Sequence, residues 1–429
     1  MIKRIIFFIT ALVSIQAFSQ RSSSSPYSIF GVGDEFGTRT VEQISMGGVG
    51  AAYSSSQYLN FINPAALSEL RYATYVFGLL HNDLRVKDAD TNQSSATTSL
   101  SYFSFGVPIS KNAGIIAGLQ PTSAVGYSLI NNLVDGDGNI VDITAFTGDG
   151  AVNRLYGGIG AKLFKGFSLG VEVDFLFGNI TNNVSNRRQN VALGTKNVED
   201  SRIRGGSIKI GAQYKTQIKE DIDLTVGAAV KLSNRLRAKG EEYLYSFTQG
   251  SLGGEIPRDT LSATSLRGNL ERPLETVVGI GVGKQNKWYA AVDYQFQDAL
   301  MPSGYLNESA QSLRYGNSSR VSLGGFYLPK FNSISSYWQR VTYRAGFKYA
   351  KTGLLVNGIP SGNTFTAVDD FGISFGLGLP LGNRVSNVNV GFEYGKRGST
   401  ENGLLQENYL NLRLSLSLND LWFRKRQID

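Results

Sequence analysis

A period of two dominates this chain and constrains its fold more than any other feature. In residues 166–179, GFSLGVEVDFLFGN, apolar side chains occupy every second position, and polar or small residues stand between them. Because successive side chains of a β-strand point to opposite faces, one face of this strand is apolar while the other carries Glu172 and Asp174. The same alternation recurs through residues 207–214, 223–231, 288–296, 341–349, 371–379, 388–395 and 410–418. Helical periodicity is nearly absent, so the chain is predicted to be all-β.

The lengths of the alternating runs and of their connections indicate a membrane barrel. Each run has about 10 to 13 residues, the length that a tilted strand needs to cross the hydrocarbon layer. Short connections such as 110–112 and 285–286 alternate with long polar ones such as 130–152, 179–201 and 234–274. We therefore predict a transmembrane antiparallel up-and-down β-barrel of about 14 strands, with short periplasmic turns and long extracellular loops. The expected strands are approximately 72–82, 98–109, 113–127, 153–164, 166–178, 202–215, 221–233, 275–284, 287–297, 319–328, 340–351, 369–380, 386–396 and 408–418.

In a barrel, the polar face of each strand would line the lumen. The predicted lumen-facing charges are Glu172, Asp174, Lys209, Asp223, Lys231, Asp293, Arg344, Lys348, Glu393 and Arg413. A soluble β-sandwich would also alternate, but it would not explain the aliphatic outward face or the rhythm of the turns. The predicted interfacial aromatics are Trp288, Trp338 and Trp422, which all fall at short-turn ends of strands and fit one girdle at the headgroup level. The segment EYLYSF at 242–247 is interpreted as an extension within the longest loop.

The first residues predict export. Residues 1–19 combine Lys3 and Arg4, an apolar run over residues 5–13 and the small-x-small site Ala17-Phe18-Ser19, which is typical of a cleaved signal peptide. The alternative is an N-terminal anchor. After Gln20 no apolar run approaches the roughly 18 residues of a spanning helix. The predicted organisation is a signal peptide (1–19), an N-terminal segment (20–71), the barrel (72–418) and a basic periplasmic tail (419–429), in the cell outer membrane.

Composition argues against an enzyme. The chain has no cysteine and one histidine, His81, which excludes thiolate metal sites and cysteine nucleophiles and leaves little imidazole chemistry. Ser168 lies in a GxSxG pattern, but at the start of an alternating strand and not in the strand–turn–helix that a nucleophile elbow requires. The net charge of +8 is spread along the chain, so nucleic acid is not an expected partner. We expect no catalytic residue, no cofactor and no metal.

Residues 20–71 do not alternate and are rich in glycine and serine. The segment NPAALSEL (63–70) is predicted to form a short helical turn just before the first strand. A segment of this length is too long for a simple leader. Folded into a fourteen-strand lumen, it would act as a plug.

Two motifs in this segment, SMGGVGAAY (45–53) and NPAALSEL (63–70), resemble the FadL/TodX (OMPP1) family of outer-membrane transport proteins. The start SSPYSIFGVGD and the end SLNDLWFRKRQID resemble the members found in Bacteroidota. The resemblance implies that the N-terminal segment is a hatch inside the barrel. The matching hatch-motif residues are Met46, Gly47, Gly48, Gly50, Asn63, Pro64 and Ala65.

The third predicted strand contains Pro121, flanked by Gly118 and Gly126. Proline cannot donate to a β-ladder, so it marks a kink or bulge. The resemblance implies that this kink opens the wall laterally for a ligand. The alternative is an ordinary kink near the rim.

Two functions remain open from the sequence. The resemblance implies uptake of hydrophobic, fatty-acid-like compounds across the outer membrane, and the hatch motif and Pro121 favour it. The charged lumen, the long loop at 234–274 and the basic tail favour a non-transporting accessory subunit of an outer-membrane complex, either barrel assembly or protein secretion machinery. The expected partners are outer-membrane lipids, together with a hydrophobic small molecule in the first case and proteins of the machine in the second.

Overall fold

The structure is a computed structural model that describes residues 23–89, 91–250, 254–358, 363–382 and 385–422. The predicted signal peptide and residues 423–429 of the basic tail lie outside the described residues. The alternating runs form strands as the period of two requires, and the described strands all belong to one sheet. They are β1 (Asp34–Glu35), β2 (Ala73–Lys87), β3 (Asn92–Ser110), β4 (Ala113–Val134), β5 (Ile140–Phe164), β6 (Phe167–Arg188), β7 (Gly194–Lys219), β8 (Ile222–Lys231), β9 (Asn234–Gln249), β10 (Glu255–Arg272), β11 (Glu275–Lys284), β12 (Trp288–Gln297), β13 (Met301–Gly304), β14 (Leu313–Tyr315), β15 (Ser318–Tyr327), β16 (Thr342–Val356), β17 (Thr366–Pro380), β18 (Asn387–Arg397) and β19 (Gln406–Asp420).

Fourteen of the described strands close into a ring, which confirms the predicted up-and-down barrel. They are β2 to β8, β11, β12 and β15 to β19, each antiparallel to its neighbours. The ring closes where β19 pairs with β2, from Gln406 opposite Lys87 to Asp420 opposite Ala73. Except where β3 and β4 separate beyond Phe103 and Leu119, the closed ring has no free sheet edge, which is the condition for strands to lie in lipid.

The helical elements are short. In the described part of the chain they are one α-helical turn, Val41–Ile44, and the 3₁₀ turns Pro26–Ile29, Pro64–Glu69, Tyr305–Gln311, Trp338–Arg340 and Glu401–Gly403. Among the described residues, no helix is both long and apolar enough to cross a membrane.

The strands reach further at the long-loop end than the sequence predicts. Much of the predicted loops 130–152, 179–201 and 234–274 is strand, because hairpins continue as a tall wall past the apolar band. There β9 pairs with the upper part of β7, from Gly194 opposite Phe247 to Arg204 opposite Arg237. The segment 242–247 lies within β9, as an extension of this wall. Beyond the lipid the outer face of a strand can be polar, so the apolar outer face that marks the lower strands is missing there.

The two faces of the lower wall differ as the period of two requires. On β6, Val173 and Phe175 are 55% and 53% exposed on the outer face, while Glu172 and Asp174 are 1% and 2% exposed on the inner face. Trp288 begins β12, Trp338 lies in the connection between β15 and β16, and Trp422 follows β19, all at the short-turn end. The wall therefore surrounds a buried polar interior.

Candidate functional site: the hatch and the gap in the wall

Residues 23–70, which we call the hatch, run through the lumen from one end of the barrel to the other. At the long-loop end, the Tyr27 hydroxyl donates to the Leu405 carbonyl at 2.5 Å. At the short-turn end, Lys162 pairs with Glu69 at 2.5 Å. Burial opposes ionisation of Glu69, but Lys162 and Arg71 outweigh it and hold the pKa of its carboxyl below the usual range. The hatch is therefore attached at both ends.

Local capping shapes the two turns of the hatch. Thr40 accepts a hydrogen bond from the Gln43 amide, and the Gln43 side chain accepts one from the Thr40 amide, which forms a capping box for Val41–Ile44. Asn63 caps the turn Pro64–Glu69 by accepting from the Ala65 amide at 3.1 Å. The serine, threonine and asparagine content of this segment thus supplies the caps that its short turns need.

The wall presents glycine where the hatch backbone lies against it. A Cβ atom at Gly346 would collide with the backbone of Met46 and Gly47. The same holds on three other strands, where a Cβ would meet hatch backbone at Gly170 (Pro64), Gly227 (Ala51) and Gly324 (Met46). These glycines form a seat that fits the hatch backbone without side chains in between.

Polar side chains from the wall bind the hatch backbone. The Asp293 carboxylate accepts hydrogen bonds from the amides of Gly50 at 2.7 Å and Ala51 at 2.8 Å. From the hatch side, the Asn63 amide group donates to the carbonyls of Ala51 at 2.8 Å, Ala212 at 3.0 Å and Ala228 at 3.3 Å. Arg320 donates to the Gly47 carbonyl at 3.0 Å. The predicted hatch-motif residues therefore lie at the contact between hatch and wall.

We predict that Asp293→Ala loosens this contact. The substitution leaves two buried amides without an acceptor, which is expected to cost about 2–6 kcal/mol at 1–3 kcal/mol for each group. Asp293→Asn keeps one acceptor oxygen and should cost less. Denaturant unfolding of the purified barrel in detergent measures both, and equal stability of Asp293→Ala and the unmodified protein would contradict the assigned role.

A buried ion cluster of the wall lies against the hatch. Arg154 contacts Glu172 at 2.8 Å and Asp174 at 3.1 Å, and all three side chains are about 1% exposed or less. Lys209 pairs with Glu172 at 2.5 Å and also donates to the Phe61 carbonyl of the hatch at 2.8 Å. The carboxylates of β6 therefore face cations across the inner wall. Sequence reasoning named Glu172, Asp174 and Lys209 but missed Arg154, although its position on the inward face of β5 could have been found by extending the alternation.

The other predicted charges fall into separate places. Lys348 pairs with Glu393 at 2.7 Å and with Asp370 at 3.0 Å, and Arg413 approaches Glu393 at 3.2 Å. Arg344 donates to Asn389 at 3.1 Å, and Asn389 in turn donates to Glu42 of the hatch at 2.7 Å. Asp223 pairs with Lys215 at 2.9 Å, partly exposed near the short-turn end. Lys231 lines the lumen cavity.

The wall has a gap between β3 and β4. Their pairing ends at Phe103 opposite Leu119, although β4 continues to Val134 and β3 begins at Asn92. Gly118 still lies within the paired part, and Pro121 stands where the register of β4 against β5 shifts. The predicted kink thus coincides with the point at which β4 leaves β3.

The hatch itself fills this gap. Strand β1 pairs with the freed edge of β4, with Asp34 opposite Ala124 and Glu35 opposite Ser123. Nearby, the Phe36 amide donates to the Thr122 carbonyl at 2.7 Å.

The serine-rich start of the hatch, residues 23–25, borders the same gap, and we call it the serine-rich lead. Ser23 and Ser25 are only 6% and 5% exposed, and Ser25 donates to Glu407 at 2.5 Å. The Gly126 amide donates to the Ser28 hydroxyl at 3.1 Å, and a Cβ at Gly126 would collide with the Ser23 carbonyl. The lead therefore covers the opening that Pro121 and Gly126 border.

The cavities left inside the lumen are lined by charges. One, of about 280 Å³, is bordered among others by Arg39, Lys231, Arg272, Glu275 and Arg320. A second, of about 230 Å³, reaches the gap and is bordered by Pro121 and Leu100 but also by Lys348, Glu393 and Arg413. Apolar side chains also line both cavities, among them Phe30 and Leu270 in the first and Leu80 and Leu84 in the second, so charged and apolar groups share each lining.

Comparison with known proteins adds a family and a fold. The BamG family model matches residues 1–429, and no curated protein matches the sequence. Among solved structures, the toluene transporter TodX of Pseudomonas putida is 16% identical with a TM-score of 0.58, over 90% of this chain and 99% of that one. The toluene transporter TbuX of Ralstonia pickettii is 15% identical with a TM-score of 0.56, over 90% and 98%. A FadL homologue of Pseudomonas aeruginosa is 13% identical with a TM-score of 0.58, over 90% and 98%. This chain therefore has the fold of the outer-membrane FadL/TodX proteins, which confirms the resemblance seen in the sequence.

Proposed function

Since the chain belongs to the BamG family, we propose that it is a non-transporting accessory subunit of an outer-membrane complex for barrel assembly. The observation that carries this proposal is the position of β1 and of residues 23–28, which bind the edge of β4 where it leaves β3. A barrel built in this way keeps the FadL/TodX fold but presents a closed wall. The family name also points to the barrel-assembly machinery.

The seating of the hatch supports the same proposal. Hatch backbone lies directly on wall glycines and is bound by Asp293 and Arg320 of the wall, while Asn63 of the hatch donates to wall carbonyls. A plug that moved for each transported molecule would break these contacts, many of them fully buried, at a cost of about 1 kcal/mol or more for each hydrogen bond. A permanently seated hatch makes the barrel a rigid body suited to bind partners.

Uptake of hydrophobic compounds is the second candidate, favoured by the gap itself. The break in pairing after Phe103 and Leu119 gives the wall a lateral opening, and TodX and TbuX, two of the similar solved structures, are toluene transporters. In this case the lead and β1 would have to leave the gap. The signal peptide over 1–19 and its cleavage belong to both proposals, since either function places the mature protein in the outer membrane.

A disulfide that locks the gap separates the two functions. Glu35 and Ser123 are opposite one another on antiparallel strands, a spacing that suits a disulfide, and the chain has no cysteine of its own. We expect Glu35→Cys/Ser123→Cys under oxidising conditions to support growth and normal levels of other outer-membrane barrels. Cells should also take up radiolabelled oleate as they do with the unmodified protein.

Matched controls make this result specific. The single variants Glu35→Cys and Ser123→Cys report the loss of the Glu35–Arg272 ion pair and of the serine hydroxyl. A loss of oleate uptake in the locked variant that a reductant restores would establish transport through the gap and contradict the accessory role. Purification in gentle detergent completes the test, because an accessory subunit should bring stoichiometric partner proteins and a lone transporter should not.

A further inference from the structure

Five basic residues project from the outer face of the wall at the long-loop end. They are Arg202 and Arg204 on β7, Arg237 and Lys239 on β9, and Arg267 on β10, and all are exposed. We call them the basic patch. Their inward neighbours Ile203, Leu236 and Ala238 are each 1% exposed within an apolar lumen cluster. Because strand side chains alternate, packing of that cluster fixes the outward direction of the cations.

The strand register places these like charges side by side. Arg202 is opposite Lys239, and Lys239 is opposite Arg267 on the next strand. One step lower, Arg204 is opposite Arg237. Like charges directly opposite each other destabilise a sheet unless an anion lies between them.

Nearby acids offset only part of the charge of the basic patch. Among the ion pairs of the described residues, none involves any of its five members. In the row above, Asp200 is opposite Glu241. Asp200 accepts a hydrogen bond from Thr181, and Glu241 accepts one from Tyr243. In the row below, Glu271 is paired with Arg235. The basic patch thus keeps an excess of positive charge.

The height of the basic patch matches the edge of the membrane. Going up the outer face of β7, Tyr214, Ile210 and Ile208 are exposed apolar or aromatic side chains, and Arg204 follows them. The ten residues from Tyr214 to Arg204 rise by about 25 Å on a tilted strand, close to the apolar band of such barrels. Leu232, 37% exposed, lies beneath the basic patch on the neighbouring chain segment. The basic patch is therefore at headgroup level, directly above side chains that face acyl chains.

We propose that the basic patch binds the phosphate of a phosphorylated glycolipid of the outer leaflet. Guanidinium groups bind phosphate oxygens in a bidentate manner, and clusters of Arg and Lys at the membrane surface recognise anionic headgroups. Binding would relieve the repulsion between Arg202, Lys239 and Arg267 while the acyl chains pack on Ile208 and Leu232. The sequence did not reveal this site, because its members are spread over 66 positions and meet only through the register of β7, β9 and β10.

The test compares two variants of equal charge change. Arg202→Gln/Lys239→Gln/Arg267→Gln removes one row of the basic patch, and Lys111→Gln/Lys165→Gln/Lys287→Gln removes three exposed lysines at the short turns. Each protein is purified from outer membranes in gentle detergent, and phosphorylated glycolipid per barrel is measured by mass spectrometry. We expect about a tenfold or greater loss for the first variant and none for the second. If the first variant carries as much glycolipid as the unmodified protein, the proposal is overturned. It is also overturned if the first variant loses a co-purifying acidic protein while its glycolipid content stays the same.

A measurement on the unmodified protein keeps the proposal falsifiable if the patch variant does not fold. In nanodiscs, an amine-reactive reagent should label Lys239 more slowly when purified lipopolysaccharide is present than with phosphatidylcholine alone, while labelling of Lys287 stays the same. Equal labelling of Lys239 in both nanodiscs overturns the proposal. Inorganic phosphate without lipid should not protect Lys239, and protection by phosphate alone would assign the basic patch to a free anion.

Discussion

Gly346→Val is expected to unseat the hatch, the largest single effect that the wall glycines predict. The new side chain would overlap backbone atoms of Met46 and Gly47. Backbone atoms cannot move aside as the end of a flexible side chain could. Overpacking of this kind costs about 1–3 kcal/mol, and here the hatch also loses its hydrogen bonds to the wall. We expect a lower denaturant midpoint and a barrel that conducts ions in planar bilayers, since the lumen would no longer be plugged.

Gly157→Val is the matched control for this prediction. Gly157 is a wall glycine on β5 whose added Cβ would have the Ile116 carbonyl as its only neighbour, at 3.9 Å. We expect this variant to keep the stability and the closed lumen of the unmodified protein. If Gly346→Val behaved in the same way, the hatch would not depend on a glycine seat, and the argument for a permanently closed barrel would lose its main support.

The wall could be predicted from the sequence because the membrane imposes a local rule. Lipid demands an apolar side chain at every second position, and this rule gave strands such as 275–284 with the bounds that the structure shows. Above the membrane the rule ends, and the predicted loop 234–274 proved to be two long strands, β9 and β10. Most outward positions of these strands are polar or charged, so the apolar outer face that marks a lipid-facing strand is absent from them.

The contacts of the hatch could not be predicted in the same way. The resemblance pointed to Asn63, but its acceptors Ala212 and Ala228 lie 149 and 165 positions away and are backbone groups with no signature in the sequence. Similarly, nothing local indicates that Gly126 meets Ser23 or that Asp293 binds Gly50. Such contacts depend on how a non-repetitive segment fits into a closed barrel, which is a property of the whole chain.

Arg154→Met should strongly destabilise the barrel. Arg154 is fully buried and binds Glu172, Asp174 and Gln120, the last on β4 just below the gap. Methionine would fill much of the volume but leave Asp174 with Ser207 as its remaining side-chain donor, while Glu172 keeps Lys209. Breaking a buried pair from one side typically costs about 3–5 kcal/mol, because an uncompensated charge stays in the interior.

Two further variants show whether that cost comes from charge. Arg154→Met/Asp174→Asn removes the stranded carboxylate, so it should be more stable than Arg154→Met alone even though it carries one more substitution. Lys162→Met, on the same strand β5, breaks the partly exposed pair with Glu69 and should cost only about 0–1 kcal/mol. Denaturant unfolding followed by heat-modifiable gel migration gives all three values. If Arg154→Met cost no more than Lys162→Met, the inner charges of β6 would be solvated in the lumen and would not form a buried ion cluster.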